Sequence, residues 1–69
     1  MATVNIQLNG EAFTAPKDTT IADLIGLMAL ENKRIAVELN EEIVPRSKHG
    51  DIALKENDVV EVVTAIGGG

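Results

Sequence analysis

The run of residues 59–66 constrains the fold of this chain most strongly, because it is apolar on both faces apart from Glu61 and Thr64. Strands that are covered on both faces show such continuous hydrophobic runs, so we place this strand in the middle of a sheet. Three glycines at 67–69 follow it directly. Glycine weakens a strand and loses much conformational entropy on ordering, so these residues do not serve stability. The sequence predicts a flexible tail that ends in a carboxylate.

The first part of the chain predicts a β-hairpin. Residues 3–9 alternate between apolar and polar side chains, which is typical of a half-buried strand. The dipeptide Asn9-Gly10 suits the two positive φ angles of a type I′ turn, and residues 11–15 then form a second strand. Pro16 ends this strand because it has no N–H to donate to the ladder.

An amphipathic helix is predicted next. Thr20 is a candidate N-cap, and Asp23 places a carboxylate near the positive end of the helix dipole. Apolar residues recur at i, i+3, i+4 and i+7 from Ile21 to Met28, which predicts a helix to about residue 30. Gly26 lies inside this helix, and we interpret it as a point of close backbone packing.

Two shorter strands and a loop are predicted before the last strand. Residues 35–40 alternate as a third strand, and residues 43–44 form a short fourth strand. Pro45 stops that strand and suits an edge position. Residues 46–51 are predicted to be an exposed loop, with His49 in solvent.

This order of elements predicts an α+β fold. The helical crossover after the first hairpin requires the last or the third strand to lie parallel to the first strand, with the helix on one face. A mixed four- to five-stranded sheet with one main helix on one face is the β-grasp arrangement. We expect one β-grasp domain, residues 1–66, and a flexible glycine tail, residues 67–69.

Composition excludes several classes of function. The chain has 11 acidic and 6 basic residues, a net charge of −5 and a single aromatic residue, Phe13, so it lacks the charge and the stacking surface for nucleic acid. No apolar run approaches the ~20 residues of a membrane span. The N-terminal sequence lacks the basic and apolar regions of a secretion signal, so we expect a cytoplasmic protein.

Catalysis by the chain itself is not predicted. His49 is the only histidine, there is no cysteine, and no residues stand at the spacing of metal ligands, so we expect no metal site. The group left for chemistry is the α-carboxylate of Gly69, which becomes an acyl donor once ATP has adenylated it. Gly67 and Gly68 carry no side chain, so a partner enzyme can close around them and position the reacting atoms.

The sequence resembles the ubiquitin-like sulfur carriers, and most closely the ThiS family of thiamine biosynthesis. The resemblance covers nearly the whole chain, and its most specific segment is Asn40-Glu41-Glu42-Ile43-Val44-Pro45-Arg46. Two departures are present. Asn57 stands where the family usually has glycine, and Ser47-Lys48-His49 stands where an aromatic residue often follows the Pro-Arg pair.

This resemblance implies a cycle on Gly69 in which the chain is a co-substrate, not an enzyme, and binds no cofactor itself. An E1-like adenylating enzyme of the ThiF type, using ATP and magnesium, would form an acyl-adenylate. A cysteine desulfurase system would supply sulfur for a thiocarboxylate, and a thiazole synthase of the ThiG type would accept that sulfur. The free carrier is expected to be a monomer.

Three alternatives stay open at this point. A molybdopterin synthase small subunit uses the same thiocarboxylate, although the usual proline-rich approach to its tail is missing from residues 63–66. A ubiquitin-like modifier would join Gly69 to lysines of target proteins. An interaction domain with an inert tail would use neither chemistry.

A docking surface is predicted on the face of the sheet opposite the helix. We expect Val59 or Val63 to lie there near Ala36, continued by Ile66. Glu38 and Glu61 would surround this small apolar patch. Apolar patches with polar rims often mark partner sites.

We also predict that the tail is mobile in the free protein and ordered only in a complex. Ordering each residue costs roughly 1–2 kcal/mol, and glycines bury no side chain that would offset this cost. Backbone relaxation should give low order parameters from Gly67 onward. A rigid tail in the isolated monomer would contradict the prediction.

Overall fold

The computed structural model describes residues 2–64. Its elements are, in chain order, β1 (Thr3–Leu8), β2 (Glu11–Pro16), α1 (Ile21–Leu27), β3 (Ile35–Leu39), β4 (Glu42–Val44), a 3-10 turn (Arg46–Lys48) and β5 (Val59–Thr64). The strands form one sheet in the order β2-β1-β5-β3-β4. β5 is central and parallel to β1, and the other strand pairs are antiparallel. The α+β, β-grasp prediction is thus confirmed, whereas the prediction for the tail falls on residues outside those described.

The turn between β1 and β2 has the predicted geometry. Asn9 has a φ of 52° and Gly10 a φ of 84°, the two positive values that a type I′ turn requires. Leu8 therefore pairs with Glu11 directly across the turn. The twist of this turn matches that of the strands and fixes the register of the hairpin.

Helix α1 begins as predicted but ends early. Thr20 and Asp23 form a capping box, in which each side chain accepts a hydrogen bond from the other residue's backbone N–H, at 3.0 and 3.1 Å. The helix ends at Leu27 because Ala29 takes a left-handed φ of 59°. The interpretation of Gly26 was wrong: Gly26 is exposed, and an added Cβ would meet only a carboxylate oxygen of Glu31 at 3.5 Å, an ordinary contact.

The core lies between α1 and one face of the sheet. The helix contributes its buried face and the strands contribute alternate residues, as expected for one shared core. The buried residues of this core are Ile6, Ile21, Leu24, Ile25, Val37, Val44, Leu54, Val60 and Val62. The alternation in each strand leaves the opposite face of the sheet without a covering layer among residues 2–64.

The loop that follows β4 differs from its prediction. His49 is buried, not solvated, and only 8% of its surface is exposed. Its Nε2 lies 3.1 Å from the carbonyl oxygen of Val44, and since a carbonyl only accepts, Nε2 donates this bond. The carbonyl oxygen of His49 in turn accepts from Ala22 N at 2.9 Å. His49 thereby ties the loop to the edge strand and to the start of the helix.

Glu56 connects the turn before β5 to the first hairpin, and we predict a pH-dependent contribution to stability from it. Asn5 N donates to Glu56 Oε1 at 2.9 Å, and Asn5 Nδ2 donates to Oε2 at 3.1 Å. These two hydrogen bonds hold the pKa of Glu56 below its ordinary value of 4.5. The bond from the backbone N–H of Asn5 has the larger effect, and the bond from its side-chain amide has the smaller one. A carboxylate with a lowered folded-state pKa stabilises the fold above the unfolded-state pKa and loses this effect as pH falls through the folded-state pKa.

Thermal unfolding of the wild type and of Glu56→Gln should therefore differ most at neutral pH. We expect the wild type to melt higher there, and the difference to shrink as the pH falls below 4.5. A difference that stays constant across this range would show that the hydrogen bonds of Glu56 do not depend on its charge.

Candidate functional site on the outer face of the sheet

Strand β5 presents a different chemistry on each face. Val60 and Val62 point into the core and are 0% and 5% exposed. The alternate residues Val59, Glu61 and Val63 point away from the helix and are exposed. The prediction that this strand is central was right, but the expectation of cover on both faces fails among the described residues, where the valines of the second face remain accessible.

The register between β3 and β5 assembles the predicted surface. Ala36 is paired with Val63, and Glu38 is paired with Glu61, so all four side chains share the face opposite α1. Val59 lies on the same face toward the start of β5. We call these five residues the outer patch. The predicted residues Ala36, Val59 and Val63 are therefore on one face, as expected, with their acidic neighbours between the valines.

The outer patch carries only negative charge. Glu38 and Glu61 are directly opposite one another, and like charges in such a pair destabilise a sheet. None of the six Lys and Arg residues lies on any of the five strands. The placement of these carboxylates is therefore not explained by the stability of the sheet, and it is suited to a partner with basic side chains.

Two further residues extend this surface and were not identified from the sequence. Ile43 is 73% exposed and is paired with Glu38, which places it beside the outer patch on β4. Glu41 helps line a depression of about 230 Å³ together with Glu38, Val59 and Glu61. The exposure of Ile43 could have been predicted from its alternation with the buried Val44. A strand of three residues, however, is too short to show a clear alternating pattern.

The reactive end of the predicted site is not part of the described structure. Ile66, Gly67, Gly68 and Gly69 lie outside residues 2–64. In the sequence, only residues 64–68 separate Val63 of the outer patch from Gly69. The described part of the candidate site is therefore the outer patch.

Among residues 2–64, no three side chains of the His, Cys, Asp or Glu type are grouped as metal ligands would be. Within this range no helix has the length and apolar character needed to span a membrane.

Within residues 2–64, the mixed five-stranded sheet with one α-helix on a single face defines a ubiquitin-like protein of the β-grasp fold. A crystal structure of the thiamine biosynthesis protein ThiS from Geobacter metallireducens superposes with a TM-score of 0.80 at 26% identity, covering 96% of this chain and 100% of that one. The fold is therefore shared with a solved protein over almost its whole length.

Sequence comparison identifies the family. The model of the ThiS family matches residues 6–69, and the sulfur carrier protein ThiS of Bacillus subtilis is 43% identical over 65 residues, covering 93% of this chain and 98% of that protein. This chain belongs to the ThiS family. It is also 35% identical over 66 residues to a thiazole synthase of Paramagnetospirillum magneticum, of which the matching segment makes up only 20%.

Proposed function

We propose that this protein is a sulfur carrier of thiamine biosynthesis that carries sulfur on its C-terminal Gly69. The observation that supports this most directly is the family match, which runs through residue 69 and so includes all three terminal glycines. A carrier needs a reactive end that fits a narrow site, and glycines meet that need because they add no side chain. The protein acts as a co-substrate in the cytoplasm rather than as a catalyst.

The proposed cycle begins with activation of the Gly69 carboxylate. A carboxylate is ionised at neutral pH and is a poor acyl donor, since its oxygen is a poor leaving group. An E1-like adenylating enzyme, with its own ATP and magnesium, attaches AMP to this oxygen and releases pyrophosphate. The carboxylate is then a mixed anhydride whose leaving group is AMP.

Sulfur enters in the second step. A persulfide that a desulfurase system has loaded with sulfur from cysteine attacks the activated carbonyl carbon through its terminal sulfur, the carbon–sulfur bond forms, and AMP leaves with the oxygen. A thiol of the sulfur-supplying system then attacks the other sulfur of the resulting acyl disulfide, so that the S–S bond to the carrier breaks and a disulfide between the two thiols leaves. The product is a thiocarboxylate at Gly69. Since the chain contains no cysteine, no side-chain thiol of its own takes part.

We propose a thiazole synthase as the acceptor of this sulfur. Relatives named thiazole synthase from Paramagnetospirillum magneticum and Magnetococcus marinus each contain a segment similar to 96% of this chain, and in both the segment is 20% of the protein. A carrier-like segment in the same polypeptide as its acceptor has a high effective concentration for it.

The outer patch is the proposed docking surface for the adenylating enzyme. Its apolar side chains Ala36 and Val63 are exposed beside the end of β5 that leads to Gly69, and Glu38 and Glu61 supply negative charge. A partner surface with an apolar centre and basic side chains around it would match both features. Such charge complementarity mainly raises the association rate and makes it sensitive to salt.

Two experiments test the proposed function. The first measures the intact mass of the protein isolated from cells, and the second incubates the protein with candidate adenylating enzymes and ATP. We expect a population in which one sulfur replaces one oxygen, and a Gly69 adenylate in the second experiment. Attachment of the chain to lysines of other proteins would instead assign it to the modifiers. If the mass is unmodified under every condition, the carrier and the modifier are both excluded, and the chain is an interaction domain with an inert tail.

A further inference from the structure

Strand β5 is paired with β1 over a short distance only. The parallel ladder joins Gln7 to Val59 and Leu8 to Val60, and β1 then ends at the Asn9-Gly10 turn. β5 continues to Thr64 along β3. Within residues 2–64, the part of β5 beyond Val60 therefore has a backbone ladder on its β3 side alone.

The side chain of Asn9 provides one further hydrogen bond to β5 on its β1 side, beyond the end of the backbone ladder. Asn9 N donates to the carbonyl oxygen of Val60 at 2.9 Å, and Asn9 Oδ1 accepts from Val62 N at 2.8 Å. Alternate residues of a strand direct their backbone groups to the same side. Because the backbone of Val60 faces β1, that of Val62 faces the same side, and in a longer β1 the Val62 N–H would donate to a backbone carbonyl oxygen. Because the backbone of Asn9 is left-handed, with φ 52°, the side-chain carbonyl takes the place of a backbone carbonyl there.

Asn40 holds the other end of β5 by a similar arrangement and provides an internal comparison. Its φ is 51°, its N donates to the carbonyl oxygen of Val59 at 2.8 Å, and its Oδ1 accepts from Val59 N at 2.9 Å. Each asparagine thus combines a left-handed turn with two hydrogen bonds to β5. Asn40 fixes the first residue of the strand, whereas Asn9 fixes the half that continues toward Gly69.

We propose that Asn9 is a positioning residue for the chemistry at Gly69. Its side-chain oxygen ties the second half of β5, which carries Glu61 and Val63 of the outer patch and leads in sequence to Gly69, to the end of β1. The bond thereby keeps this half of β5 from shifting when the outer patch is docked on the adenylating enzyme. Asn9 takes part in no bond-forming or bond-breaking step of the proposed cycle. The inference rests on the proposed function, and it assigns a separate role to a residue that the sequence explains by its turn alone.

Three variants of the full chain separate this role from stability. Asn9→Gly keeps the left-handed turn but removes the acceptor for Val62 N. Asn9→Asp retains a side-chain oxygen and tolerates the same backbone. Asn40→Gly makes the matched change at the start of β5. Each variant is measured for thermal unfolding, for hydrogen exchange of the Val62 amide, and for the kinetics of Gly69 adenylation with an adenylating enzyme and ATP.

We expect Asn9→Gly to lower kcat for adenylation about tenfold, because small errors in the position of a reacting group are costly. KM should stay within about twofold, because the ladder to β3 still holds Glu61 and Val63 beside Glu38 and Ala36. The Val62 amide should exchange faster in this variant, and Asn9→Asp should restore both kcat and protection. Asn40→Gly should melt lower, as Asn9→Gly does, and keep the wild-type kcat.

Two results would overturn the inference. One is a wild-type kcat in Asn9→Gly despite faster exchange at Val62, and the other is an equal loss of kcat in Asn9→Gly and Asn40→Gly, which would assign the loss to stability. If Asn9→Gly fails to fold, hydrogen exchange of the wild type decides instead. A Val62 amide that is not protected from exchange in the wild type would also overturn the inference. Absence of adenylate on the wild-type chain is a different failure, because it contradicts the proposed function itself.

Discussion

A peptide tag fused after Gly69 is expected to abolish thiocarboxylate formation. The tag converts the reacting carboxylate into an internal amide, which ATP cannot adenylate, and the added chain cannot pass through a site shaped for glycine. The same tag placed before Met1 should leave the reaction unchanged. Intact mass after incubation with an adenylating enzyme, ATP and a sulfur source measures both proteins in one experiment.

A substitution within the tail gives the same test without a tag. Gly68→Val should also lose adenylation, because a β-branched side chain clashes in a narrow channel and restricts φ. The free energy of unfolding should change by less than about 0.5 kcal/mol, since glycine has no side chain whose packing the substitution could remove. Loss of activity with an unchanged melting curve is therefore the expected pair of results.

The outcome that contradicts the proposed chemistry is equally specific. If the C-terminally tagged chain acquires sulfur at the normal rate and still carries its tag, the sulfur is not on the terminal carboxylate. Mass measurement of the tagged protein after the reaction shows whether the tag is still attached, and so separates this result from one in which a protease has first removed the tag.

Val63→Asp is expected to weaken binding to the adenylating enzyme without unfolding the protein. Val63 is 58% exposed on the outer patch, and the substitution places a charge where an apolar contact is proposed. We expect Kd to rise at least about tenfold, because burying a valine contributes roughly 1.5–3 kcal/mol and each ~1.4 kcal/mol is a factor of ten. Val63→Thr, which keeps the β-branched shape that strands favour, should weaken binding less.

Leu27→Asp is the matched control for this surface. Leu27 is 62% exposed, slightly more accessible than Val63, but it lies on α1 on the other side of the sheet. A titration of the enzyme should give the wild-type Kd for Leu27→Asp. An unchanged Kd for Val63→Asp, or equal losses for the two variants, would exclude the outer patch as the docking surface.

The predicted parts of the fold are those fixed by local chemistry. Asn9-Gly10 determines a type I′ turn through its own backbone preferences, and Thr20 with Asp23 determines the start of α1 through two hydrogen bonds within one turn. The central position of β5 followed from its apolar composition. Each of these signals lies within a few residues of the feature that it predicts.

The features that sequence analysis missed depend on distant contacts or on weak local signals. Ala29 favours helix by intrinsic propensity, yet it ends α1 in a left-handed conformation as Leu30 N donates back to Ile25 O. His49 stands among polar and small neighbours and is buried through its bond to Val44. For the candidate site, the face of Val63 was predicted from alternation, whereas the position of Ile43 beside Glu38 depends on the pairing of β3 with β4.

In the proposed cycle, the central position of β5 also determines when the chain can become a substrate of the adenylating enzyme. Both hairpins, β1–β2 and β3–β4, close through short local turns, but the bond between Asn9 and Val62 joins residues 53 positions apart in the sequence. Contacts of such long range form late in folding, after the loop-closure entropy has been overcome. β5 follows the other four strands in the chain and must insert between two of them, so a partly folded carrier would lack an assembled outer patch. An adenylating enzyme that recognises the outer patch would thereby spend ATP only on carriers that have completed their fold.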